Sequence, residues 1–207
     1  MTSLKGIPVI LFNGPPGAGK DTGRNILGQG IPGMVAFSFG ERLKSATHDL
    51  YGCGDLGYDF FDGKKDTPNE NFYGRTPREA YIEFARVVEA ILGEDFFAKA
   101  LISVMESQFY MRGNPPTAII ISDLGFKSEA DTIIEAFGVP SVLIVRVHAE
   151  KRGCTFDGDS RRYIDARDTP PFTEFLDIEN NDLDDTSKYQ ANLLMRVGAW
   201  LEGRRWV

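Results

Sequence analysis

The sequence predicts a three-layer α/β/α fold in which helices cover both faces of a five-stranded parallel sheet. Apolar runs of strand length alternate with segments of helical periodicity along nearly all of the 207 residues. Consecutive parallel strands need a crossover connection, which is usually a helix, so this alternation favours a parallel sheet. The run from Thr117 to Asp123 is apolar almost to its final acid, as expected of a strand buried on both faces.

The individual elements follow from periodicity and from the residues that start and stop them. Residues 76–79 form a capping box, with Thr76 as N-cap, and Gly93 ends the helix that it opens. Residues 52–75 hold five glycines and no periodicity, so a long surface excursion is expected there. Strands are predicted at 7–13, 34–39, 117–123, 141–147 and 174–178. Helices are predicted at 20–28, 41–51, 77–92, 95–112, 127–137 and 187–202, the last burying Tyr189, Leu193, Val197 and Leu201.

Length, charge and composition exclude several classes of protein. A chain of this length is expected to form a single domain, with room for an inserted lid. The formal net charge of −7 argues against binding to nucleic acid polymers or anionic membranes, and no apolar stretch approaches the ~20 residues of a membrane span. Cys53 and Cys154 lie far apart and predict neither a disulfide framework nor a zinc site, so a reducing cytoplasm is expected. His48 and His148 fit no metal or triad pattern and are expected at the surface or at strand ends.

The motif with the clearest chemistry follows the first predicted strand. Residues 13–22 are Asn-Gly-Pro-Pro-Gly-Ala-Gly-Lys-Asp-Thr, so Gly14 and Gly19 bracket four residues before Lys20. That is the spacing of a P-loop, whose glycines let backbone N–H groups point at phosphate oxygens while the next helix directs its positive end toward the same anion. The motif therefore predicts nucleotide binding. The alternative is a glycine-rich hairpin with a solvated lysine.

Two carboxylates are candidates for holding magnesium. The strict motif has Ser or Thr after the lysine, where the hydroxyl binds the metal, but this chain has Asp21 and then Thr22. Either the metal is held differently, or Asp21 reaches it through water. Asp123 ends the third predicted strand, where a carboxylate can hold magnesium or order its waters. Its alternative role is an ordinary N-cap of the next helix.

Further candidates follow the other strands, because ligands of such sheets bind outside the carboxyl ends of the strands. Arg42 and Lys44 lie in the first turn of the second helix and Arg78 in that of the third, where cations oppose the helix dipole and an anionic ligand relieves the conflict. Solvated helix faces are the alternative. The groups expected at this edge are 14–22, 38–44, Asp123, 152–167, and Asn180 with Asn181.

The segment 149–171 is polar, glycine-containing and rich in arginine, which favours a lid. Arginines neutralise a moving phosphoryl group, and closure of a lid excludes the water that would hydrolyse ATP. A salt-bridged surface loop is the alternative, and the spacing does not show which arginines touch phosphate. Its basic residues are Lys151, Arg152, Arg161, Arg162 and Arg167.

Several segments together resemble bacteriophage-type deoxynucleoside monophosphate kinases, in the same order and over most of the chain. They are Gly19–Thr22, Ser38–Lys44, Thr76–Glu79, Ile121–Asp123 with Glu129–Ala130, and Phe156–Arg161. The resemblance implies the P-loop nucleoside monophosphate kinase fold, ATP with Mg²⁺ as phosphoryl donor and a deoxynucleoside monophosphate (dNMP) as acceptor. For a phage-encoded protein it implies the host cytoplasm.

The resemblance also implies roles for the candidate residues. Lys20, Arg161 and Arg162 are the expected catalytic residues, and Asp21 and Asp123 the expected metal ligands. The implied ATP-binding residues are Gly14, Gly17, Ala18, Gly19, Lys20, Asp21, Thr22 and Asn180 or Asn181, with the asparagines near the adenine. The expected acceptor-binding residues are Ser38, Arg42, Lys44, Asp66, Arg78 and Asp123.

One departure bears on the choice of acceptor. The family often carries arginine two residues after the aspartate of the third strand, and Gly125 occupies that position here. A phosphate or base contact is therefore missing, and the preferred base stays open. Base stacking and polar readout are assigned instead to the 52–75 excursion, where the candidates are Phe60, Phe61, Asp66 and Tyr73.

Other functions fit part of the pattern. The same fold could phosphorylate another small metabolite such as dephospho-coenzyme A. A P-loop ATPase or switch would hydrolyse nucleotide without an acceptor, and a degenerate scaffold would bind none, against which the intact Lys20 argues. A homodimer is compatible with the sequence, because symmetric dimers are common, but no interface patch can be identified.

Overall fold

A computed structural model describes residues 4–113, 115–182 and 185–204. Its strands are β1 (Val9–Asn13), β2 (Met34–Phe37), β3 (Ala118–Leu124), β4 (Val142–His148) and β5 (Glu174–Glu179). Its helices are α1 (Lys20–Gly30), α2 (Phe39–Leu50), α3 (Pro77–Leu92), α4 (Phe96–Arg112), α5 (Lys127–Phe137) and α6 (Ser187–Glu202). The predicted order of strands and helices is confirmed.

The strands form one parallel sheet in the spatial order β2-β3-β1-β4-β5. β1 is central, with Val9 paired to Ile119 of β3 on one side and to Val142 of β4 on the other. β2 and β3 lie on one side of β1, and β4 and β5 lie on the other. The loop that follows β1 therefore borders the crevice where open α/β sheets bind their ligands.

Strand side chains alternate between two buried faces of the sheet. On one face, Ile10 and Phe12 belong to the same apolar core as Leu27 of α1 and the inner residues of α6. Val9 and Leu11 point to the opposite face, and α5 buries Ile133 and its neighbours. The predicted α/β fold with a parallel sheet is thus confirmed. The α6 residues predicted to be buried are all buried, namely Tyr189, Leu193, Val197 and Leu201.

The chain divides into two compact units. The first contains residues up to 37 and from 104 onward, and holds the sheet with α1, α5 and α6. The second contains residues 38–103 and holds α2 and α3; the boundary between the units falls inside α4. In the part of the chain that the structure describes, no helix combines the length and apolarity needed to cross a membrane. A substrate-binding excursion at about 40–92 and a lid at 149–171 within one domain stay predictions.

The junction between β2 and α2 differs from the prediction. β2 ends at Phe37, where its pairing with Ile121 of β3 ends. Ser38 has the extended backbone of an N-cap, and Phe39 is already the first residue of α2. The prediction that the strand continues to residue 39 is therefore wrong, because Phe39 buries its side chain as part of a helix.

Residues 52–75 are not entirely a surface excursion, because part of the segment is folded and buried. Two short 3₁₀ turns, Asp62–Lys64 and Glu70–Phe72, organise this segment. Phe61 and Phe72 are buried, with ring centroids 5.0 Å apart in an edge-to-face arrangement. With His48 of α2 and Tyr81 of α3 they form an aromatic cluster (His48, Phe61, Phe72 and Tyr81). The second unit thus has a core of its own, which apolar periodicity did not reveal.

His48 lies at the centre of the aromatic cluster and is completely buried, so the expectation of a surface position was wrong. Its Nε2 lies 2.8 Å from the hydroxyl of Tyr81. Burial lowers the pKa of His48, because a charged imidazole has no solvation there. His148, by contrast, ends β4 as expected.

Candidate functional site

The loop between β1 and α1 has the backbone geometry of a phosphate cradle. Gly19, the N-cap of α1, has φ 100° in the left-handed region that favours glycine. A methyl group at Gly19 would collide with Nδ2 of Asn180, and one at Gly14 would lie 2.7 Å from the carbonyl oxygen of Val147. Glycine is therefore required at these positions by conformation and by close approach. The N–H groups of the first turn of α1 are left without helical partners beside the loop.

Residues beyond β5 hold the loop backbone in place. Nδ2 of Asn180 donates a hydrogen bond to the carbonyl of Ala18 at 2.8 Å, and the hydroxyl of Tyr189 donates to the carbonyl of Gly19 at 3.0 Å. Burial raises the pKa of Tyr189, so this hydroxyl stays a donor. Sequence reasoning placed Tyr189 in the core but missed its contact with the loop.

Lys20 folds back over the loop. Its Nζ donates hydrogen bonds to the carbonyl oxygens of Gly14 at 2.7 Å and Pro15 at 2.8 Å. Burial lowers its pKa to about 8, and the charge of Arg161 acts in the same direction. The ammonium group is thus protonated at neutral pH, but its surroundings do not fully stabilise its positive charge. An anion near the loop would stabilise that charge.

Asp21 is linked to β3 through a residue that the sequence did not single out. The hydroxyl of Ser122 donates a hydrogen bond to Oδ1 of Asp21 at 2.9 Å. Asp123 is the next residue, inside β3 rather than at its end, because the strand continues to Leu124. Thr22 is exposed at the start of α1. Among the described residues, no three His, Cys, Asp or Glu side chains form a group that could hold a metal without further ligands.

A second cation, Arg161, is held on the side of the site formed by the 149–171 segment. Its guanidinium donates to both oxygens of Asp159, at 2.9 and 2.5 Å, and these bonds raise the pKa of Arg161. The backbone N–H of Arg161 donates to the same carboxylate at 3.0 Å. Asp123 and Glu129 add favourable electrostatic interactions. Arg161 is therefore a fixed charge rather than a freely moving side chain.

Sequence reasoning noted Glu129 only as part of a family resemblance. In the structure it is a buried carboxyl group with two backbone hydrogen bonds. Its Oε2 accepts the N–H of Gly125 at 2.8 Å and of Phe126 at 3.0 Å. Burial raises the pKa of Glu129 to about 8, and the charge of Asp123 contributes in the same direction. The carboxyl group thus anchors the turn between β3 and α5.

Arg162 makes a two-pronged ion pair with Asp168, at 2.8 and 2.5 Å. Its carbonyl oxygen accepts a hydrogen bond from Nδ2 of Asn13 at 3.2 Å, and the same Nδ2 donates to Leu124 at 3.0 Å. Oδ1 of Asn13 accepts the N–H of Ile164 at 2.9 Å. Asn13 therefore joins the end of β1 to β3 and to the arginine-bearing segment. The sequence did offer a signal for this role, because Asn13 is a polar residue at the end of an apolar strand.

Two residues, one after β4 and one after β5, have unsatisfied polar atoms beside the loop. Oδ1 of Asn180 and Nε of Arg152 are buried and have no hydrogen-bond partner among the described residues. Nη1 of Arg152 donates to the carbonyl of Asn180 at 3.5 Å. Asn181 instead accepts the N–H of Lys151 at 3.1 Å. Buried polar atoms without partners are uncommon and are candidates for contact with a ligand.

The expected acceptor-binding residues lie in the second unit, except Asp123, which belongs to β3 in the first. Lys44 donates to Asp62 at 2.5 Å, and Arg78 forms an ion pair with Asp66 that lowers the pKa of that carboxyl. Arg42 is exposed, and Ser38 is the half-buried N-cap of α2. Two of the predicted cations are thus already paired with carboxylates.

The aromatic candidates for base stacking separate into two groups. Phe60 and Tyr73 are exposed, by 61% and 83%. Phe61 is only 2% exposed and packs in the aromatic cluster, so its assignment to base stacking was wrong. A side chain with both ring faces covered by protein has no surface left for a ligand.

The α/β fold, with its five-stranded parallel sheet, is consistent with a P-loop kinase-like fold. A protein of Acanthamoeba polyphaga mimivirus named "Putative deoxynucleotide monophosphate kinase" is 28% identical to this chain over 140 residues. The aligned region is 63% of this chain and 70% of the relative. No family model matches the chain. The likeness supports a kinase-like function, while the bacteriophage-type assignment stays a prediction.

Proposed function

We propose that this protein is an ATP-dependent deoxynucleoside monophosphate kinase, which transfers the γ-phosphoryl group of ATP to a dNMP and yields ADP and a dNDP. The observation that carries the proposal is the pair of cations beside one glycine-rich loop. Lys20 is held against the loop by two carbonyl groups, and Arg161 lies close enough to lower its pKa. Two fixed cations and a helix N-terminus suit the charge that a phosphoryl group carries during transfer.

Each side of the loop has a role in this proposal. The backbone N–H groups of Gly14, Gly17, Ala18 and Gly19 bind the ATP phosphates. Lys20, Arg161 and Arg162 neutralise the transferred group. We assign the unsatisfied atoms of Arg152 and Asn180, together with Asn181, to contacts with the nucleoside of ATP. No general base is needed, because the acceptor phosphate is already an anion.

The residues near Lys20 fit magnesium as the partner of ATP. Mg²⁺ is usually held by one or two carboxylates together with waters and substrate phosphates. Asp21 and Asp123 supply two carboxylates, and Ser122 fixes one oxygen of Asp21. These residues hold the ion only in combination with the nucleotide. When bound, the ion neutralises phosphate charge.

The acceptor is assigned to the second unit. Arg42, Lys44 and Arg78 would bind the dNMP phosphate, with Ser38 nearby in sequence, and the phosphate would replace Asp62 and Asp66 as the anionic partner. Exposed Phe60 and Tyr73 offer rings for stacking against the base. We place the reaction in the cytoplasm, where both substrates occur.

The test is an ADP-release assay with magnesium and ATP, in which dAMP, dGMP, dCMP, dTMP and their ribose forms are offered singly. Release that depends on one or a few dNMPs supports the proposal and identifies the base. Equal slow release without any acceptor would replace it with an ATPase or switch function. Dephospho-coenzyme A is offered as one further acceptor, and release with it alone would replace the proposal with another metabolite kinase.

A further inference from the structure

The stem of Arg161 lies directly against the backbone of Gly125. A methyl group built on Gly125 would lie 2.5 Å from Cδ and 2.9 Å from Cγ of Arg161, closer than real Cβ atoms approach other heavy atoms. These carbons cannot easily move aside, because the guanidinium beyond them is bound to both oxygens of Asp159. The backbone N–H on the other side is bound to Asp159 as well.

The requirement at Gly125 is one of space and not of backbone conformation. Its φ lies outside the left-handed range that disfavours side chains, so alanine fits the local backbone. The backbone of the β3–α5 turn cannot easily move away from Arg161, because Glu129 accepts the N–H groups of both Gly125 and Phe126. A side chain at position 125 would therefore displace Arg161 and leave the turn in place.

The position of Arg161 affects the rest of the site through its charge. Arg161 interacts electrostatically with Lys20, Asp123 and Glu129. Displacing its guanidinium would change the field at the loop without removing any loop residue. The absence of a side chain at Gly125 therefore affects the electrostatic field at the phosphate-binding loop, because it fixes where the Arg161 guanidinium lies.

We propose that Gly125 is a positioning residue for Arg161, because only a residue without a side chain allows the arginine stem to cross the β3–α5 turn and present its guanidinium beside Lys20. The predicted effect on kcat rests on the proposed function. The predicted displacement of Arg161 rests on geometry alone. The departure from the resembling family at this position then has a physical meaning. The guanidinium on this side of the site comes from residue 161, across a glycine.

The kinetic test compares Gly125→Ala with Gly198→Ala, a matched change in α6 where a methyl group meets no atom within 4 Å. We expect Gly125→Ala to lower kcat by about tenfold to a hundredfold, the cost of misplacing a catalytic group by about 1 Å. KM for ATP should change by less than about twofold, since the loop is intact. Gly198→Ala should leave both constants unchanged.

A double-mutant cycle separates positioning from a general structural defect. In an Arg161→Ala background the stem is absent and the methyl group fits, so adding Gly125→Ala should change kcat by less than about twofold. If Gly125→Ala alone does not fold, the double variant should recover the thermal midpoint of Arg161→Ala. Additive losses in the double variant would overturn the inference.

A readout that needs no activity distinguishes failure of the inference from failure of the proposed function. The ¹⁵N resonance of Arg161 Nε in the nucleotide-free protein reports its bond to Asp159. We expect Gly125→Ala to shift or broaden it and Gly198→Ala to leave it unchanged. An unchanged resonance in Gly125→Ala overturns the inference. A shifted resonance in an enzyme that phosphorylates no dNMP overturns the proposed function and leaves the inference intact.

Discussion

Lys20, in the unit that holds the sheet, and two cations of the second unit are compensated in opposite ways. In the unit that holds the sheet, Lys20 is half-buried and its hydrogen bonds go to carbonyl oxygens. In the second unit, Lys44 and Arg78 are each paired with a carboxylate, Asp62 and Asp66. Each of these contacts lies within a single unit.

Under the proposed function, this difference corresponds to two ways of preparing a site for an anion. Lys20 carries a charge that the fold disfavours, as its lowered pKa shows, so an incoming phosphate gains an interaction without breaking one. A phosphate that binds Arg78 must first displace Asp66, and it exchanges one ion pair for another. We therefore expect donor binding to be tight and acceptor binding to be weaker and adjustable by mutation of the paired acids.

The largest effect is expected at Lys20. Lys20→Met keeps the stem and removes the charge, and should reduce phosphoryl transfer by about 10³-fold or more. The folded-state pKa of about 8 lies below the ordinary value of 10.5, so the protonated form destabilises the nucleotide-free protein at neutral pH. The free energy of unfolding of Lys20→Met should therefore equal or exceed that of the unmodified protein. Steady-state kinetics and urea unfolding measure the two quantities.

Lys188→Met, on the exposed start of α6, is the control for loss of a lysine charge. A fall in rate of less than about tenfold, or about 1.4 kcal/mol, would contradict the role given to Lys20. A lowered free energy of unfolding would contradict the electrostatic part of the argument.

An intermediate effect is expected at the pair formed by Arg78 and Asp66. Arg78→Ala should raise KM for the dNMP by about tenfold, because a charge-assisted contact is lost. Asp66→Asn should lower that KM by about threefold, since the phosphate no longer competes with a carboxylate in an exposed pair. Both changes should leave KM for ATP unaltered. Initial rates with varied dNMP at saturating ATP give the values.

The matched control is Glu83→Gln, which breaks the ion pair between Glu83 and Arg75 in the same unit. Its KM for the dNMP should not change. A raised KM for Asp66→Asn would show that Asp66 contacts the acceptor itself, as the sequence suggested, and would exclude the competition argued here.

The smallest effect is expected from pH, in the aromatic cluster. The folded-state pKa of His48 is lowered by burial, so its neutral form stabilises the second unit above pH 6.5, and this stability is lost as the pH falls below that value. The backbone of Leu56 favours protonation of His48, as do Asp49 and Asp62, while Lys44 opposes it. After correction for the intrinsic exchange rate, which itself falls with pH, the opening free energy of α2 and α3 measured by hydrogen exchange should decrease as the pH falls below 6.5.

His48→Gln should remove that pH dependence, because the amide can still bond to Tyr81 but does not titrate. The chain has one other histidine, and His148→Gln should retain the dependence. Equal loss in both variants would assign the effect to something other than His48.

The elements were predictable because local chemistry specifies them. The capping box at Thr76 and Glu79 forms as predicted, with both of its hydrogen bonds. The second unit was predicted less well. Phe61 and Phe72 follow no periodic pattern, and they become core residues only because His48 and Tyr81 converge on them from two different helices. Such convergence is a property of three dimensions and leaves no local signal.

The sequence by itself determined the parallel sheet, the order of its elements and the glycine-rich loop that begins α1, because each depends on residues close together in the chain. The tertiary structure alone decided which groups surround that loop. Asn180 reaches the carbonyl of Ala18, 162 positions away, and Arg161 crosses the backbone of Gly125. Such contacts depend on how strands are ordered and how far each segment extends, and these are set by packing rather than by the spacing of residues along the chain.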